Sequence, residues 1–272
     1  MTAFASGTIV LVGAGNMGGA MLSGWLKSGV PGSSVVVLDP GPSDAILQQL
    51  SDAGARHLTQ APADLKADIL FLAVKPQVME AVLPPVRHVV GPKTVVVSVA
   101  AGKTLAFMEE HLGQAGMVRA MPNTPAMIGR GVTGAFANKL VSDEQRQQVQ
   151  SLLKVSGPVE WVSSEADIDA VTALSGSGPA YVFYLVECMA EAGRKAGLPA
   201  DLAMRLARET VSGAGELLHR SPDEAARLRQ NVTSPGGTTA AALSVLMAED
   251  GMQPLFDKAI EAARKRAGEL AG

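Results

Sequence analysis

The stretch Thr8–Met21, TIVLVGAGNMGGAM, is the clearest indication of the fold in this sequence. A run of Val, Ile and Leu enters a turn in which Gly13, Gly15 and Gly18 have the spacing G-x-G-x-x-G, and a helical pattern follows. This spacing is informative where a strand ends and a helix begins. The first glycine permits the tight turn, the second lets a pyrophosphate approach the backbone, and the third packs helix against strand. The stretch therefore predicts the first strand and helix of a dinucleotide-binding domain.

Further apolar runs extend this pattern along the first half of the chain. They are Thr8–Val12, Val35–Leu38, Ile69–Val74, Val95–Val99 and Met117–Met121, with weaker candidates at Val132–Ala137 and Val159–Val162. Near-continuous runs of Val, Ile and Leu between helical segments are typical of a parallel sheet buried on both faces. We therefore predict an α/β fold, with a Rossmann-type, doubly wound parallel sheet over residues 1–162.

The sequence pattern changes after residue 162, because helical patterns replace the strand-like runs. The expected helices are Pro179–Ala196, Pro199–Leu218, Pro222–Gln230, Thr238–Ala248 and Pro254–Leu270. A proline is tolerated in the first turn of a helix because its missing N–H would be unpaired there in any case. From Asp167 onward no run predicts a strand. We therefore expect an all-helical second domain over residues 163–272.

Composition narrows the class of function. The formal net charge of −3 gives no electrostatic reason to expect nucleic acid or an anionic membrane as a partner. No run approaches the roughly 18 apolar residues of a membrane span, and the first residues lack a basic leader. The single cysteine, Cys188, lies in an apolar run and is expected to be a buried, inert thiol. We expect a cytoplasmic protein that acts on a small molecule.

Several kinds of catalytic site have no signal in the sequence. There is no H-E-x-x-H segment, no Cys/His cluster and no G-x-S-x-G turn after a strand, so neither a metal site nor a serine hydrolase is expected. The four histidines, His57, His88, His111 and His219, lie outside every motif described in this subsection. We expect these histidines to lie on the surface, or in the core with their hydrogen bonds satisfied.

An acidic residue follows the second predicted strand. Asp39 lies about twenty residues beyond Gly18, where a carboxylate accepts hydrogen bonds from the adenine-ribose hydroxyls of a dinucleotide. A 2′-phosphate would meet this negative charge, so Asp39 favours NAD over NADP. The alternative is a turn aspartate before Pro40 and Gly41.

Later strand ends point to the same edge of the sheet, where ligands bind in open α/β folds. Lys75, after the third main run, is a candidate for contact with cofactor phosphates or ribose, or else a solvated loop lysine. The small residues of Ala100–Gly102, after the fourth run, would let a flat nicotinamide ring lie close to the backbone. Asn123, after the fifth run, could bond near the nicotinamide or brace its own loop.

The segment Asn231–Leu246, NVTSPGGTTAAALSVL, places glycines and threonines before an alanine-rich helix. Unpaired N–H groups at a helix start carry partial positive charge, and glycines remove side chains that would block an approaching anion. The amides of Gly237, Thr238 and Thr239 could therefore hold a carboxylate. The alternative is an ordinary capping turn, in which Ser234 or Thr238 caps the helix.

Six motifs of this chain stand in the order and spacing seen in pyrroline-5-carboxylate reductases, the enzymes that make proline. They are VGAGNMG, FLAVKP, VSVAAG, RAMPNTPA, ALSGSGPAY and NVTSPGGTT, of which the last is the most specific. The chain resembles this family from Ile9 to about Leu270. The resemblance implies NADPH- or NADH-dependent hydride transfer to the cyclic imine L-1-pyrroline-5-carboxylate, which yields L-proline.

Residue roles carry over by position within these motifs. The implied cofactor contacts are Val12, Gly13, Ala14, Gly15, Asn16, Met17, Ala73, Val74, Lys75, Pro76, Val99, Ala100, Ala101 and Asn231, beside Gly18, Asp39 and Asn123 from the pattern of strand ends. The implied substrate contacts are Glu165, Ser177, Gly237, Thr238 and Thr239, with Gly236 beside them. Thr239 is the predicted catalytic residue, because its hydroxyl, about one turn into the helix, could orient the ring nitrogen without acting as a strong acid.

The resemblance also implies an assembly. In this family the helical domains of two subunits interleave, so a homodimer is expected, and larger rings of dimers occur among relatives. Two positions depart from the family pattern: Asp39 and Pro40 stand where relatives that use NADP often have small polar residues, and Gln60 stands where some have asparagine near the adenosine. The choice between NADPH and NADH therefore stays open, with Asp39 favouring NADH.

Two other interpretations of the sequence compete with the imine reductase. A β-hydroxyacid dehydrogenase shares the order of domains, but neither Lys154 nor Lys195 stands in the G-x-N-x-x-x-K context of its catalytic lysine. A non-catalytic dinucleotide-binding protein would keep Gly13–Gly18 but would have no reason to keep the Ser234–Thr239 loop. The intact loop favours the imine reductase.

Overall fold

The computed structural model describes residues 7–271, which form two compact units. The first unit takes in the chain up to Gly176 and also the segment from Ala263 onward, whereas the second unit is Ser177–Ala262. The second unit is therefore inserted in sequence between two parts of the first. The domain limits expected from the sequence, 1–162 and 163–272, remain a prediction.

The first unit is built on one eight-stranded sheet. Its strands are β1 (Ile9–Val12), β2 (Val35–Leu38), β3 (Arg56–Leu58), β4 (Ala67–Leu72), β5 (Val90–Ser98), β6 (Gly116–Pro122), β7 (Thr133–Ala137) and β8 (Val159–Trp161). They lie in the order β3-β2-β1-β4-β5-β6-β7-β8, and every neighbouring pair is parallel except β6 with β7. Every apolar run identified in the sequence corresponds to a strand, and the predicted α/β class is confirmed.

Both faces of the sheet are covered, which is why its strands are apolar throughout. Every residue of β1 is buried, and successive residues alternate between two cores. Ile9 and Leu11 pack in one core with Trp25, whereas Val10 and Val12 pack in the other. Complete burial of such a side chain contributes about 1.5–3 kcal/mol. The cores fix β1, and hence the glycine turn that follows it, inside the sheet between β2 and β4.

Two features of the sheet differ from the sequence prediction. The connection from β6 to β7 contains only a 3-10 turn, Thr124–Ile128, and no crossover long enough to bring the chain back parallel. The strand β7 therefore returns directly and runs antiparallel to β6. The edge strand β3 was not predicted, because its three residues, Arg-His-Leu, are at most half-buried and form no apolar run.

Helices flank this sheet in the first unit. They are α1 (Asn16–Lys27), α2 (Asp44–Ala53), α3 (Met79–Val86), α4 (Leu105–Leu112), α5 (Asp143–Leu153) and α6 (Asp167–Val171), and α6 continues into a π-helical turn over Thr172–Gly176. Ser43, Thr104 and Ser142 cap α2, α4 and α5 by accepting a backbone N–H at the side-chain oxygen. By contrast, the N-cap of α1 is Gly15, and no side chain caps this helix. Its first-turn amides are therefore left for another partner.

The second unit contains helices and no strand among its residues, as predicted. The helices are α7 (Gly178–Lys195), α8 (Ala200–Arg220), α9 (Ala225–Asn231), α10 (Thr238–Leu246) and α11 (Met252–Ala271), and α11 ends within the first unit. Pro179 lies in the first turn of α7 and Pro199 is the N-cap of α8, whereas α9 begins three residues beyond Pro222. Within residues 7–271, no helix combines the length and apolar character that crossing a membrane requires.

A broad apolar face of the second unit is open in the single chain. Val182, Phe183, Tyr184 and Leu185 on α7 are all exposed, and Phe183 and Tyr184 keep 63% and 66% of their surface. Cys188, one turn further on, is exposed as well, so the prediction of a buried thiol is wrong for the single chain. Its apolar neighbours in the sequence lie on a helix surface that the second unit does not itself cover.

Candidate functional site

The three glycines of the first turn meet different surroundings. Gly13 has a φ of +87°, and a Cβ there would lie 2.7 Å from Val74 Cγ1. A Cβ on Gly18 would lie 2.0 Å from the carbonyl oxygen of Gly13. Gly15, by contrast, has no atom within 4 Å of its Cβ direction. The fold itself requires Gly13 and Gly18, whereas the absent side chain of Gly15 leaves room beside the backbone.

The start of α1 has the features of an anion-binding site. Gly15 and Asn16 are exposed, and the first turn has neither an acidic side chain nor a side-chain cap. Unpaired N–H groups and the positive end of the helix dipole therefore face the open space beside Gly15. A phosphate group suits such a site.

The predicted strand-end segments gather at the edge of the sheet to which this turn belongs. Strand β4 lies between β1 and β5, so Ala73–Pro76 and Val99–Ala101 follow neighbouring parallel strands. Lys75 is exposed, as either of its two expected roles requires. Gly102 closes the second segment at a φ of +69°, with the backbone oxygen of Leu270 at 3.0 Å from its Cβ direction. These segments border the glycine turn.

The carboxylate of Asp39 is held by two backbone amides. Its Oδ2 accepts a hydrogen bond from Ala14 N–H at 2.7 Å, and its Oδ1 accepts one from Gly41 N–H at 2.9 Å. Asp39 therefore joins the glycine turn to the end of β2, and the turn role weighed in the sequence is present. His57 Nε2 lies 2.8 Å from the Asp39 carbonyl oxygen. A carbonyl only accepts, so the ring donates from Nε2.

Asn123 braces its own loop. Its Oδ1 accepts a hydrogen bond from Val132 N–H at 3.0 Å, and its Nδ2 donates to Ser175 Oγ at 3.3 Å. The side chain thus ties the β6–β7 loop to the π-helical turn over Thr172–Gly176. The bracing interpretation describes this geometry, and the cofactor contact of Asn123 remains a prediction.

The helix entrance in the second unit lacks a side-chain cap. The N-cap of α10 is Gly237, and no side chain caps the helix. The alternative in which Ser234 or Thr238 caps this helix is therefore wrong. Gly236 has a φ of +69° and open space at its Cβ direction. Thr238 and Thr239 begin the helix, and their amides lack the i−4 carbonyl partners of a helix interior.

The remaining predicted substrate residues lie in different units. Ser177 opens the second unit as the N-cap of α7, but its side chain makes no capping bond. Asn231 is the last residue of α9 in the same unit. Glu165 belongs to the first unit, where its Oε1 accepts a hydrogen bond from Leu105 N–H at 2.8 Å at the start of α4. The structure thus brings the cofactor candidates of the first unit together and holds Ser177, Asn231 and the 236–239 residues in the second.

The perturbed titrating groups lie on α7, away from these motifs. A hydrogen bond to Arg194 lowers the pKa of Glu191 to about 2, and the same contact raises the pKa of Arg194. The pKa of Tyr184 is raised, chiefly by a hydrogen bond with Cys188. Within the part of the chain that the structure describes, no group of three or more His, Cys, Asp or Glu side chains could hold a metal ion.

Comparison with known proteins gives the family. Residues 165–270 match the family model described as pyrroline-5-carboxylate reductase dimerisation, and residues 8–102 match one described as NADP oxidoreductase, coenzyme F420-dependent. A pyrroline-5-carboxylate reductase of Pseudomonas aeruginosa is 42% identical over 268 residues, which cover 97% of this chain and 96% of the relative. The chain belongs to the pyrroline-5-carboxylate reductase family.

Other relatives and solved structures support the same family assignment. The pyrroline-5-carboxylate reductase of Pasteurella multocida is 37% identical and covers 97% of both chains. A pyrroline-5-carboxylate reductase structure from Coxiella burnetii superimposes with a TM-score of 0.89 at 36% identity, covering 98% of this chain and 99% of that one. The pyrroline carboxylate reductase structure of Plasmodium falciparum, with NADP bound, gives 0.80 at 26% identity and the same coverage. The resemblance stated from the six motifs is confirmed over nearly the whole chain.

Two charged residues of this family member, Arg119 and Asp169, form contacts that the sequence did not predict. Arg119 lies on β6 and is only 3% exposed, and its guanidinium contacts Glu165 and Asp169. A signal was present, because an arginine inside the buried run Met117–Met121 needs a partner charge. The sequence does not show which acidic residue supplies that charge, since Asp169 is 50 residues further along the chain.

Proposed function

We propose that this chain catalyses the NADPH- or NADH-dependent reduction of L-1-pyrroline-5-carboxylate to L-proline, the last step of proline synthesis. The observation that carries the proposal is the full-length match to several reductases of that name, with 97% of this chain aligned to the first two. The uncapped helix entrance at Gly237 supplies independent chemical support, since it suits a substrate that carries a carboxylate.

The cofactor fits the first unit. The open space at Gly15 and the uncapped start of α1 suit the pyrophosphate, and Asp39 suits the adenine ribose. When bound, the reduced dinucleotide supplies the hydride for the C=N bond. The segments Ala73–Pro76 and Val99–Ala101 would line the same edge, with Asn231 as a further contact proposed from its place in the family motif.

The substrate carboxylate is assigned to the start of α10. The amides of Thr238 and Thr239 lie in the first turn without an i−4 carbonyl partner, and Gly236 and Gly237 carry no side chain to obstruct an anion. The Gly237 amide, which the sequence also suggested for this role, donates instead to the Ser234 carbonyl oxygen at 3.0 Å. The Thr239 hydroxyl would then orient the ring nitrogen. Glu165 and Ser177 are further proposed contacts of the substrate.

No strong acid in the protein is required. An imine nitrogen can take its proton from solution, and the iminium carbon is the better hydride acceptor. The rings of His57, His88 and His111 each bond a backbone carbonyl oxygen, and His219 is exposed in the last turn of α8. Catalysis then rests on holding the imine in place, and orientation of this kind can contribute about 7–11 kcal/mol.

We infer a preference for NADH. The carboxylate of Asp39 is fixed by Ala14 N–H and Gly41 N–H, so it cannot swing away from a 2′-phosphate without losing both bonds. The physical reason for this preference is electrostatic repulsion between the Asp39 carboxylate and the 2′-phosphate of NADPH, and not the loss of a contact.

The assembly we propose is a homodimer with interleaved helical domains, with a ring of such dimers as the larger assembly. The dimerisation family model and the exposed apolar residues of α7 support it. We also propose a cytoplasmic location, where NADPH and NADH are available, with neither nucleic acid nor membrane as a partner.

The decisive experiment follows oxidation of NADH and of NADPH, at matched concentrations, after addition of racemic pyrroline-5-carboxylate, with proline identified as the product. Turnover that yields proline supports the reaction, and the ratio of the two rates measures what Asp39 does. A folded, dimeric protein without turnover on either cofactor would overturn the proposal.

A further inference from the structure

We propose that Arg119 and Asp169 are positioning residues that hold Glu165 for the substrate and keep one of its carboxylate oxygens free. The inference deepens the proposed function and rests on it. It starts from a buried guanidinium: Arg119 is 3% exposed, and its side chain ends between two carboxylates. A buried charge is costly unless it is paired, so this arrangement needs a reason beyond packing.

The carboxylate of Glu165 is anchored by one oxygen only. Oε1 accepts hydrogen bonds from Leu105 N–H at 2.8 Å and from Arg119 Nη1 at 3.4 Å. Among residues 7–271, no side chain or amide donates to Oε2, and the side chain keeps 28% of its surface exposed. The anchored oxygen fixes the direction of the carboxylate, and the other oxygen is available to accept an N–H from a ligand.

Asp169 explains why the second oxygen stays free. A guanidinium that faces a single carboxylate favours a two-bond fork, which would occupy both oxygens of Glu165. Here Arg119 Nη2 is taken by Asp169 Oδ1 at 3.0 Å, the shorter of the two ion pairs. Glu165 therefore receives a single bond from the guanidinium, through Nη1. Asp169 therefore prevents Arg119 from bonding both carboxylate oxygens of Glu165.

The same three charges set the local potential. One guanidinium stands against two carboxylates, so the cluster keeps one excess negative charge. A ring nitrogen that is cationic before hydride transfer, and remains cationic as a secondary ammonium in the product, is attracted to such a cluster. Without Asp169, the pair that remained would be neutral.

The anchor also links Glu165 to the cofactor segment. Leu105 is the first residue of α4, and it lies four residues beyond the Val99–Ala101 segment that we assign to the cofactor. The Leu105 amide and the Arg119 guanidinium, which stems from β6, meet at one oxygen. Glu165 is therefore held in fixed relation to that segment, and loss of its anchor should impair orientation of the imine rather than cofactor binding.

The test compares Asp169→Asn with Asp167→Asn in the full-length dimer. Asp167 lies on the same helix, is exposed, and accepts a hydrogen bond from Ser164 N–H at 2.9 Å, so its variant makes the same change of charge without touching Arg119. Asp169→Asn should lower kcat/KM for the imine on the order of tenfold, mostly through KM, because the carboxylate is misplaced. KM for the cofactor should stay within about twofold of the parent value, as should both constants of Asp167→Asn.

Two further variants separate positioning from stability. Asp169→Glu keeps an anionic acceptor for Arg119 Nη2 and should recover most of the lost kcat/KM. Arg119→Lys lacks the planar guanidinium that holds two carboxylates in fixed directions, so it should lose at least as much as Asp169→Asn. A binding readout runs in parallel: the rise in melting temperature caused by L-proline, with cofactor present, should shrink in Asp169→Asn and not in Asp167→Asn.

The outcomes are distinct. A parent enzyme that does not reduce the imine overturns the proposed function itself. A parent enzyme that turns over, with Asp169→Asn equal to Asp167→Asn in imine KM and in the proline effect, overturns only the positioning role. A lower melting temperature for Asp169→Asn with an unchanged imine KM also overturns it, because the cluster would then be purely structural.

Discussion

At the scale of single residues, the glycines of the first turn carry separable roles. Gly18 has no room for a methyl group because the Gly13 carbonyl oxygen lies 2.0 Å from its Cβ direction, whereas Gly15 faces open space. The spacing G-x-G-x-x-G predicted both roles, but only coordinates show which contact each glycine avoids. One substitution should therefore affect the fold and the other should affect the ligand.

Gly15→Ala should leave the melting temperature of the free protein unchanged and raise the Kd for NADH by about tenfold or more, because the added methyl group enters the space left for the pyrophosphate. Fluorescence titration of the reduced cofactor measures the affinity. Gly18→Ala is the contrasting variant: it should lose about 3 kcal/mol of unfolding free energy through overpacking. Equal cofactor affinity of Gly15→Ala and parent would show that the open space is not the phosphate site.

Asp39 links cofactor choice to the shape of the turn. Asp39→Asn removes the charge that would face a 2′-phosphate, so the ratio of kcat/KM for NADPH to that for NADH should rise by about tenfold. Asp44→Asn, an exposed carboxylate at the start of α2, is the matched control and should leave the ratio alone. If the two variants gave the same ratio, Asp39 would be a turn residue without influence on cofactor choice.

At the scale of elements, the glycine N-cap of α10 matters most. A side-chain cap would have occupied an amide of the first turn, and its absence leaves Thr238 and Thr239 for a ligand. Thr239→Val should raise KM for the imine or lower kcat by about tenfold, with cofactor affinity nearly unchanged, because only the hydroxyl near the ring nitrogen is lost. Steady-state kinetics with each reactant varied in turn makes the measurement.

The control for that variant lies on the same helix. Ser244 donates its hydroxyl to the Ala241 carbonyl within α10, so Ser244→Ala removes a hydroxyl far from the entrance. Its imine kinetics should match those of the parent. Cofactor binding that collapsed in Thr239→Val while imine kinetics held would refute the assignment of this loop.

The elements also show what a sequence can and cannot predict. Buried parallel strands and long amphipathic helices were predictable, since each leaves a long periodic signal. The edge strand β3 is too short and polar to leave one, and β7 turned antiparallel because of a connection whose path the sequence does not state. The two partners of Arg119, and the Ser175 partner of Asn123, were invisible for a related reason: these three contacts join residues 46, 50 and 52 positions apart.

At the scale of the whole molecule, the second unit exposes more apolar surface than a monomer ordinarily tolerates. Phe183, Leu206 and Leu217 keep 63%, 50% and 56% of their surface in the single chain. Contiguous apolar surface of this kind marks an interaction face, and the dimerisation family model covers it. The sequence alone could not distinguish such a face from core packing, because both give the same helical pattern.

Phe183→Asp should therefore convert a dimer into a monomer at micromolar concentration and abolish most turnover, since a charge would be buried in the interface. Light scattering after size-exclusion chromatography measures the mass. Leu140→Asp is the control, because Leu140 is a comparably exposed apolar residue of the first unit at 57%. A Phe183→Asp protein that remained dimeric would place the interface elsewhere.

The path of α11 determines which unit a truncating mutation damages. This last helix starts in the inserted unit and finishes in the first one, where Leu270 lies against Gly102 beside the proposed cofactor segment. A nonsense codon at Ala263 would leave the inserted unit, Ser177–Ala262, fully encoded and yet remove a segment of the dinucleotide-binding unit. A lesion in the gene after the inserted unit would thus damage the unit whose sheet is encoded before it.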